Sequence, residues 1–102
     1  MKPVSPLQKV SEEALEPIRK QIDEIDQKLI KLLNERSSLA NNIGRIKQQL
    51  GLPIYMPVRE KEILENVMRT NPGPLPAEAV QRLFERIIDE TRALERQKYQ
   101  SK

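Results

Sequence analysis

Ile18, Ile22, Ile25, Leu29, Leu32, Leu39, Ile43, Ile46 and Leu50 recur at intervals of four and three residues, and Arg36 occupies the one place in the series where the pattern asks for an apolar side chain. Steps of that size return to one face of an α-helix, so the series predicts a long helix packed along its length on other helices. An arginine within such a seam needs an anionic partner, because burying an unpaired charge costs several kcal/mol. That partner is either a protein carboxylate or a ligand.

Proline and glycine punctuate the rest. Pro17 fits only a first helical turn, which predicts a first helix over Pro17–Leu50, ended by Gly51 and Pro53. A short second helix is expected over Pro57–Met68, with Ile63, Leu64, Val67 and Met68 as its buried stripe. Asn71, Pro72, Gly73 and Pro74 form a loop, and a third helix starts near Pro76, places Val80, Leu83, Phe84, Ile87 and Ile88 at helical spacing, and frays after Arg96. The expectation is an all-α chain of three helices forming a single domain, with flexible tails over residues 1–11 and 99–102.

A first helix of that length extends about 50 Å at 1.5 Å per residue, against a radius of gyration of roughly 13 Å for a compact domain of this size. One chain cannot cover the seam alone. The two shorter helices can pack over part of it, and a second copy of the same helix buries the rest, so an intertwined homodimer is expected. A monomeric bundle with a projecting, partly exposed helix is the alternative.

Composition narrows the chemistry. With 32% charged and 3% aromatic residues, the 102-residue chain has the profile of exposed amphipathic helices around a modest core. Its 18 Lys and Arg against 15 Asp and Glu give a net charge of +3, too mild and too interspersed for a nucleic-acid partner. The absence of Cys and His excludes thiol nucleophiles, disulfides, imidazole acid–base chemistry and the usual zinc ligand sets. Met1–Val10 has no apolar run suited to a signal peptide and no stretch suits a membrane span, so the default compartment is the cytoplasm.

Several polar residues intrude on apolar faces. Lys47 follows Arg36 by eleven residues, which at 100° each returns to within about 20° of the same direction, so both cations can face one cavity. On the third helix the stripe continues into Thr91 and Glu95; the alternative is that Leu94 carries it and Glu95 is solvated. For Arg36 the alternative is an internal ion pair with Glu95 or Glu60, and for Lys47 a snorkelling surface position. Arg19 lies seventeen residues before Arg36, about 25 Å along the same helix, and can reach a site near Arg36 only in a partner chain. Arg59 and Glu60 lie just after Pro57, at a helix amino terminus that favours anions.

The run Ile18, Arg19, Ile22, Asp23 and Asp26, then Leu32 to Arg36, Leu39, Ala40, Ile43, Gly44 and Lys47, then Pro53 to Tyr55, Arg59 and Glu60, the Asn71–Pro74 loop, and Leu83, Phe84, Ile87 and Ile88 resembles the all-α bacterial chorismate mutase family. The similarity covers roughly Leu15 to Arg96. It implies three helices per chain, an intertwined homodimer and two sites built from both chains. It also implies conversion of chorismate to prephenate on the route to phenylalanine and tyrosine. This intramolecular Claisen rearrangement of a dicarboxylate needs neither nucleophile nor cofactor, which suits a chain without His or Cys.

By motif position, the resemblance implies that Arg36 and the partner chain's copy of Arg19 hold the two carboxylates. Lys47 binds the ring-side carboxylate region and the ether oxygen, and Arg59 supports the site. Glu60 accepts a hydrogen bond from the ring hydroxyl, and Thr91 contacts a carboxylate. Met56 stands where the family is often acidic, but there a backbone amide can serve the substrate hydroxyl. At Glu95 many relatives have Gln. A glutamate must be protonated to donate to the ether oxygen; burial favours that form, while Lys47 and Arg36 favour the charged one. Ending at Lys102 with no second domain, the chain is expected to be monofunctional rather than the front of a mutase–dehydratase fusion. The competing readings are an isochorismate pyruvate lyase on the same scaffold and a non-catalytic helical dimerisation module.

Overall fold

A computed structural model of the chain describes secondary structure for residues 6–100 and side chains for residues 12–99. Among these residues all regular structure is helical: α1 is Pro6–Leu50, α2 is Pro57–Thr70 and α3 is Ala77–Glu95, followed by a π-helical turn, Arg96–Gln100. No helix among the described residues is long and apolar enough to cross a membrane. The chain divides into two compact units, Met1–Arg36 and Ser37–Lys102.

The start of α1 corrects the sequence-based boundary. The helix begins at Pro6, not near Pro17, and Pro17 lies inside it. An interior proline removes one backbone hydrogen bond and crowds the preceding turn, at about 3 kcal/mol. Glu12, Glu13, Ala14, Leu15 and Glu16 are mostly strong helix formers and carry the helix up to it. Of the expected tails, residues 1–5 and 101–102 lie outside the described residues, whereas Tyr99 and Gln100 belong to the π-turn.

Within the first unit Ile18, Ile22, Ile25, Leu29 and Leu32 are each between 50% and 58% exposed. The four-three series therefore forms one apolar helix face without cover from its own unit.

In the second unit α2 packs on α3, and Ile54, Val80 and Ile88 are its buried apolar side chains. Ile63, Leu64, Val67 and Met68 are half-buried along α2, as their spacing predicts. Leu83 departs from its predicted stripe and is exposed. At 100° per residue it lies at the edge of the stripe, about 40° beyond Ile87. Leu39, Ile43, Ile46 and Leu50, at the end of α1, are also exposed.

Two turns shape this unit. Gly51, with φ of 71°, ends α1 in a Schellman closure: its N–H donates to the Gln48 carbonyl at 3.2 Å, and the Leu52 N–H donates to the Lys47 carbonyl at 2.8 Å. Between α2 and α3, the Gly73 N–H donates to Asn71 Oδ1 at 3.1 Å and Asn71 Nδ2 donates to the Leu75 carbonyl at 2.7 Å. That loop satisfies its own polar groups.

A Cβ added at Gly51 meets nothing within 4 Å, so Gly51→Ala tests backbone strain alone. It should destabilise the fold by about 1–2 kcal/mol, read from urea unfolding. An unchanged midpoint would show that the left-handed residue does not set the end of α1.

Candidate active site

Lys47 stands three residues before the end of α1, inside the Schellman closure, so its side chain reaches the segment returning toward α2. Its Nζ donates to the Ile54 carbonyl at 2.9 Å and lies 3.5 Å from Glu95 Oε2, 48 positions away in the sequence. The Lys47 side chain is only 13% exposed and Glu95 only 6%. The alternative of a solvated Glu95 beside an inward Leu94 is overturned, for Leu94 is 52% exposed. Leu94 lies eleven residues after Leu83 and returns to the same flank of α3, while Glu95 follows the line of Ile88 and Thr91.

Glu95 also lines a cavity of about 360 Å³ together with Ser37, Ala40, Asn41, Thr91, Leu94, Gln97 and Lys98. That volume lies within the range of small-molecule pockets. Thr91 Oγ1 donates to the Ile87 carbonyl at 2.9 Å, which orients the hydroxyl at the cavity wall. Lys47 is not among the lining residues; Glu95 joins the cavity to the ammonium.

Glu60 is gripped by Arg92, whose Nε and Nη2 donate to its two carboxylate oxygens at 3.0 and 2.8 Å. Arg92 also donates to Asp89 Oδ1 at 3.3 Å and lies over the Tyr55 ring, 5.0 Å from its centroid. The hydrogen bond with Glu60 is the main reason that the Arg92 pKa is raised above its already high ordinary value. Desolvation opposes the shift; the charges of Glu60, Asp89 and Tyr55 add to it. A raised cation pKa stabilises the fold fully below the unfolded value and loses that contribution only as pH rises through the folded one. Arg92 is therefore a permanent cation at any physiological pH.

The remaining candidates are placed separately. Met56 is the N-cap of α2; its side chain makes no capping bond, and its carbonyl accepts the Glu60 N–H at 3.2 Å. Arg59 is exposed, with Nη1 3.5 Å from Glu62 Oε1. Arg19 and Arg36 belong to the first unit, the former exposed and the latter half-buried. Among the described residues no group of three His, Cys, Asp or Glu is placed to hold a metal ion.

Sequence reasoning missed Arg92, Asn41 and Tyr99. Two of them carried a signal: Arg92 falls four residues after Ile88 and Tyr99 four after Glu95, each one turn beyond a buried position.

The chain belongs to the type II chorismate mutase family, whose model matches residues 18–96. It is 42% identical over 86 residues to a chorismate mutase of Methanocaldococcus jannaschii, covering 83% of this chain and 87% of that protein. It is 43% identical over 88 residues to a bifunctional chorismate mutase/prephenate dehydratase of Aquifex aeolicus, covering 82% of this chain but only 24% of that relative. Among solved structures, a chorismate mutase of Thermus thermophilus superposes with a TM-score of 0.82 at 37% identity, covering 84% of this chain and 98% of the other.

Removing the Arg92 side chain leaves the partly buried Glu60 carboxylate without its bidentate partner. Arg92→Ala should therefore destabilise the protein by about 1–3 kcal/mol, and Arg92→Lys should recover only part of the loss because an ammonium cannot reproduce the planar fork. Denaturant unfolding of both variants reads this. Equal losses for the two would mean that the fork geometry contributes all of the effect, and no loss for either would mean that the pair contributes nothing.

Proposed function

We propose that the chain is a chorismate mutase, rearranging chorismate to prephenate in aromatic amino acid biosynthesis in the cytoplasm, with two sites shared across a homodimer. The observation that carries the mechanism is the meeting of Lys47 Nζ and Glu95 Oε2 at 3.5 Å in a largely buried setting. Membership of the family and the match along 87% of the M. jannaschii chorismate mutase support the activity.

The rearrangement breaks a C–O bond and forms a C–C bond within one molecule, so the protein need only hold the reactive conformer and stabilise the charge that develops. Arg36 and the partner chain's copy of Arg19 clamp the two carboxylates, fold the enolpyruvyl ether over the ring and remove conformational freedom from the reaction coordinate. Lys47 donates to the ether oxygen, where negative charge grows, and Glu95 stands beside that atom as a second hydrogen-bonding group, so that the pair binds the transition state more strongly than the ground state. Glu60, held by Arg92, accepts the ring hydroxyl's hydrogen bond. The Met56 amide meets that same hydroxyl, Thr91 contacts a carboxylate, and Arg59 adds positive charge beside the site.

The exposed apolar face supports the dimer. Ile18, Ile22, Ile25, Leu29 and Leu32 in the first unit, and Leu39, Ile43, Ile46 and Leu50 in the second, are all about half exposed or more. Covering each would contribute about 1 kcal/mol. The shared site is tested by mixing inactive Arg19→Ala and Lys47→Ala chains. Heterodimers contain one site with both residues intact and should regain activity, whereas no recovery after verified subunit exchange would remove Arg19 from the composite site.

The activity itself is tested by loss of chorismate absorbance on adding purified protein. Glu95→Gln, a permanent hydrogen-bond donor of nearly the same shape, should retain kcat/KM, while Glu95→Ala should lose most of it. Equal turnover by the parent chain and both variants would take Glu95 out of the mechanism, and no turnover by the parent chain would overturn the assignment.

A further inference from the structure

The π-turn after α3 folds back on the same wall of the cavity. Tyr99 Oη donates to Asn41 Oδ1 at 2.7 Å, and Gln48 Nε2 donates to the Tyr99 carbonyl at 3.3 Å. Between these two anchors α1 carries Gly44, which is buried and ordinarily helical. A glycine in mid-helix weakens the helix relative to alanine, so its backbone freedom is not the reason for its presence here. Space is: a Cβ built at Gly44 would lie 2.7 and 2.9 Å from the Tyr99 ring carbons Cδ2 and Cε2, and 3.3 Å from Glu95 Cγ. The missing side chain is the recess into which Tyr99 and the stem of Glu95 both fit.

We infer that Tyr99 is a positioning residue for Glu95. The aromatic ring keys the end of α3 into the Gly44 recess and fixes the Glu95 carboxyl between Lys47 and the cavity, while its hydroxyl fixes the Asn41 amide at the cavity wall. Tyr99 makes no contact with substrate and acts on turnover through the Glu95 side chain. This deepens the proposed function and rests on it, because the carboxyl it orients is the group assigned to the ether oxygen.

The first arm of the test needs no activity. With Tyr99 in place, Gly44→Ala drives a methyl into the ring and lowers Tm. In the Tyr99→Ala background the recess is half empty, helix propensity prevails, and the same substitution raises Tm. A rise in both backgrounds places the ring elsewhere and overturns the inference.

The second arm reads turnover of chorismate by variants whose helicity matches the parent. Tyr99→Ala should lower kcat about 10- to 100-fold with little change in KM, and Tyr99→Phe, which keeps the ring, should recover most of the loss. In a Glu95→Ala background, Tyr99→Ala should have almost no further effect. An equal fold-loss with and without Glu95 would show that Tyr99 does not act through it and overturns the inference. If the parent chain turns over no chorismate, the proposed function fails and the positioning role falls with it, while the Tm arm still reports whether the key exists.

Discussion

Lys47 is the point on which the second unit is organised. Its carbonyl takes the Leu52 N–H that closes α1, and its ammonium takes the Ile54 carbonyl and faces Glu95 from α3. One residue thus ends a helix, anchors the returning chain and meets the carboxyl of a distant helix. A largely buried lysine is tolerable only with such partners, and the same partners leave it preorganised for an anion. The family to which the chain belongs fits a site built in this way.

Much of this was legible in the sequence because it rests on local rules. The four-three series announced α1, Gly51 and Pro53 its end, and Asn71–Pro74 the turn before α3. Pro17 misled because its local penalty was outweighed by neighbours that favour helix. The interior direction of Glu95 could be read as one of two options, and only packing against α1 decided it: Leu94 and Glu95 are adjacent, and both lie near the edge of the stripe. The Arg92–Glu60 pair joins residues 32 positions apart on different helices, so neither residue alone reveals it. Tyr99 looked like part of a polar tail because its partners, Asn41 and Gly44, lie more than fifty residues earlier.

The two carboxylates singled out in this unit are held in different ways. Glu60 has a bidentate guanidinium on both oxygens, a short and directional pairing. Glu95 has a single ammonium at 3.5 Å on one oxygen, a looser contact that a substrate atom can enter without breaking a fork. The firmer grip falls on the residue assigned to hold a hydroxyl in place. The looser one falls on the residue assigned to follow a charge that exists only during the reaction.

The self-contained loop between α2 and α3 has a kinetic consequence. Asn71 binds both Gly73 and Leu75, so the two helices are joined by a few residues that supply their own hydrogen bonds. Bringing α2 and α3 together closes a short interval, whereas bringing Lys47 to Glu95 closes one of 48 residues. Loop-closure entropy separates the two by about 2 kcal/mol. Contacts local in sequence form fastest, so the α2–α3 hairpin is the natural nucleus of this unit. The Lys47–Glu95 contact then forms across a chain that the hairpin has already shortened, making the candidate site a late product of folding.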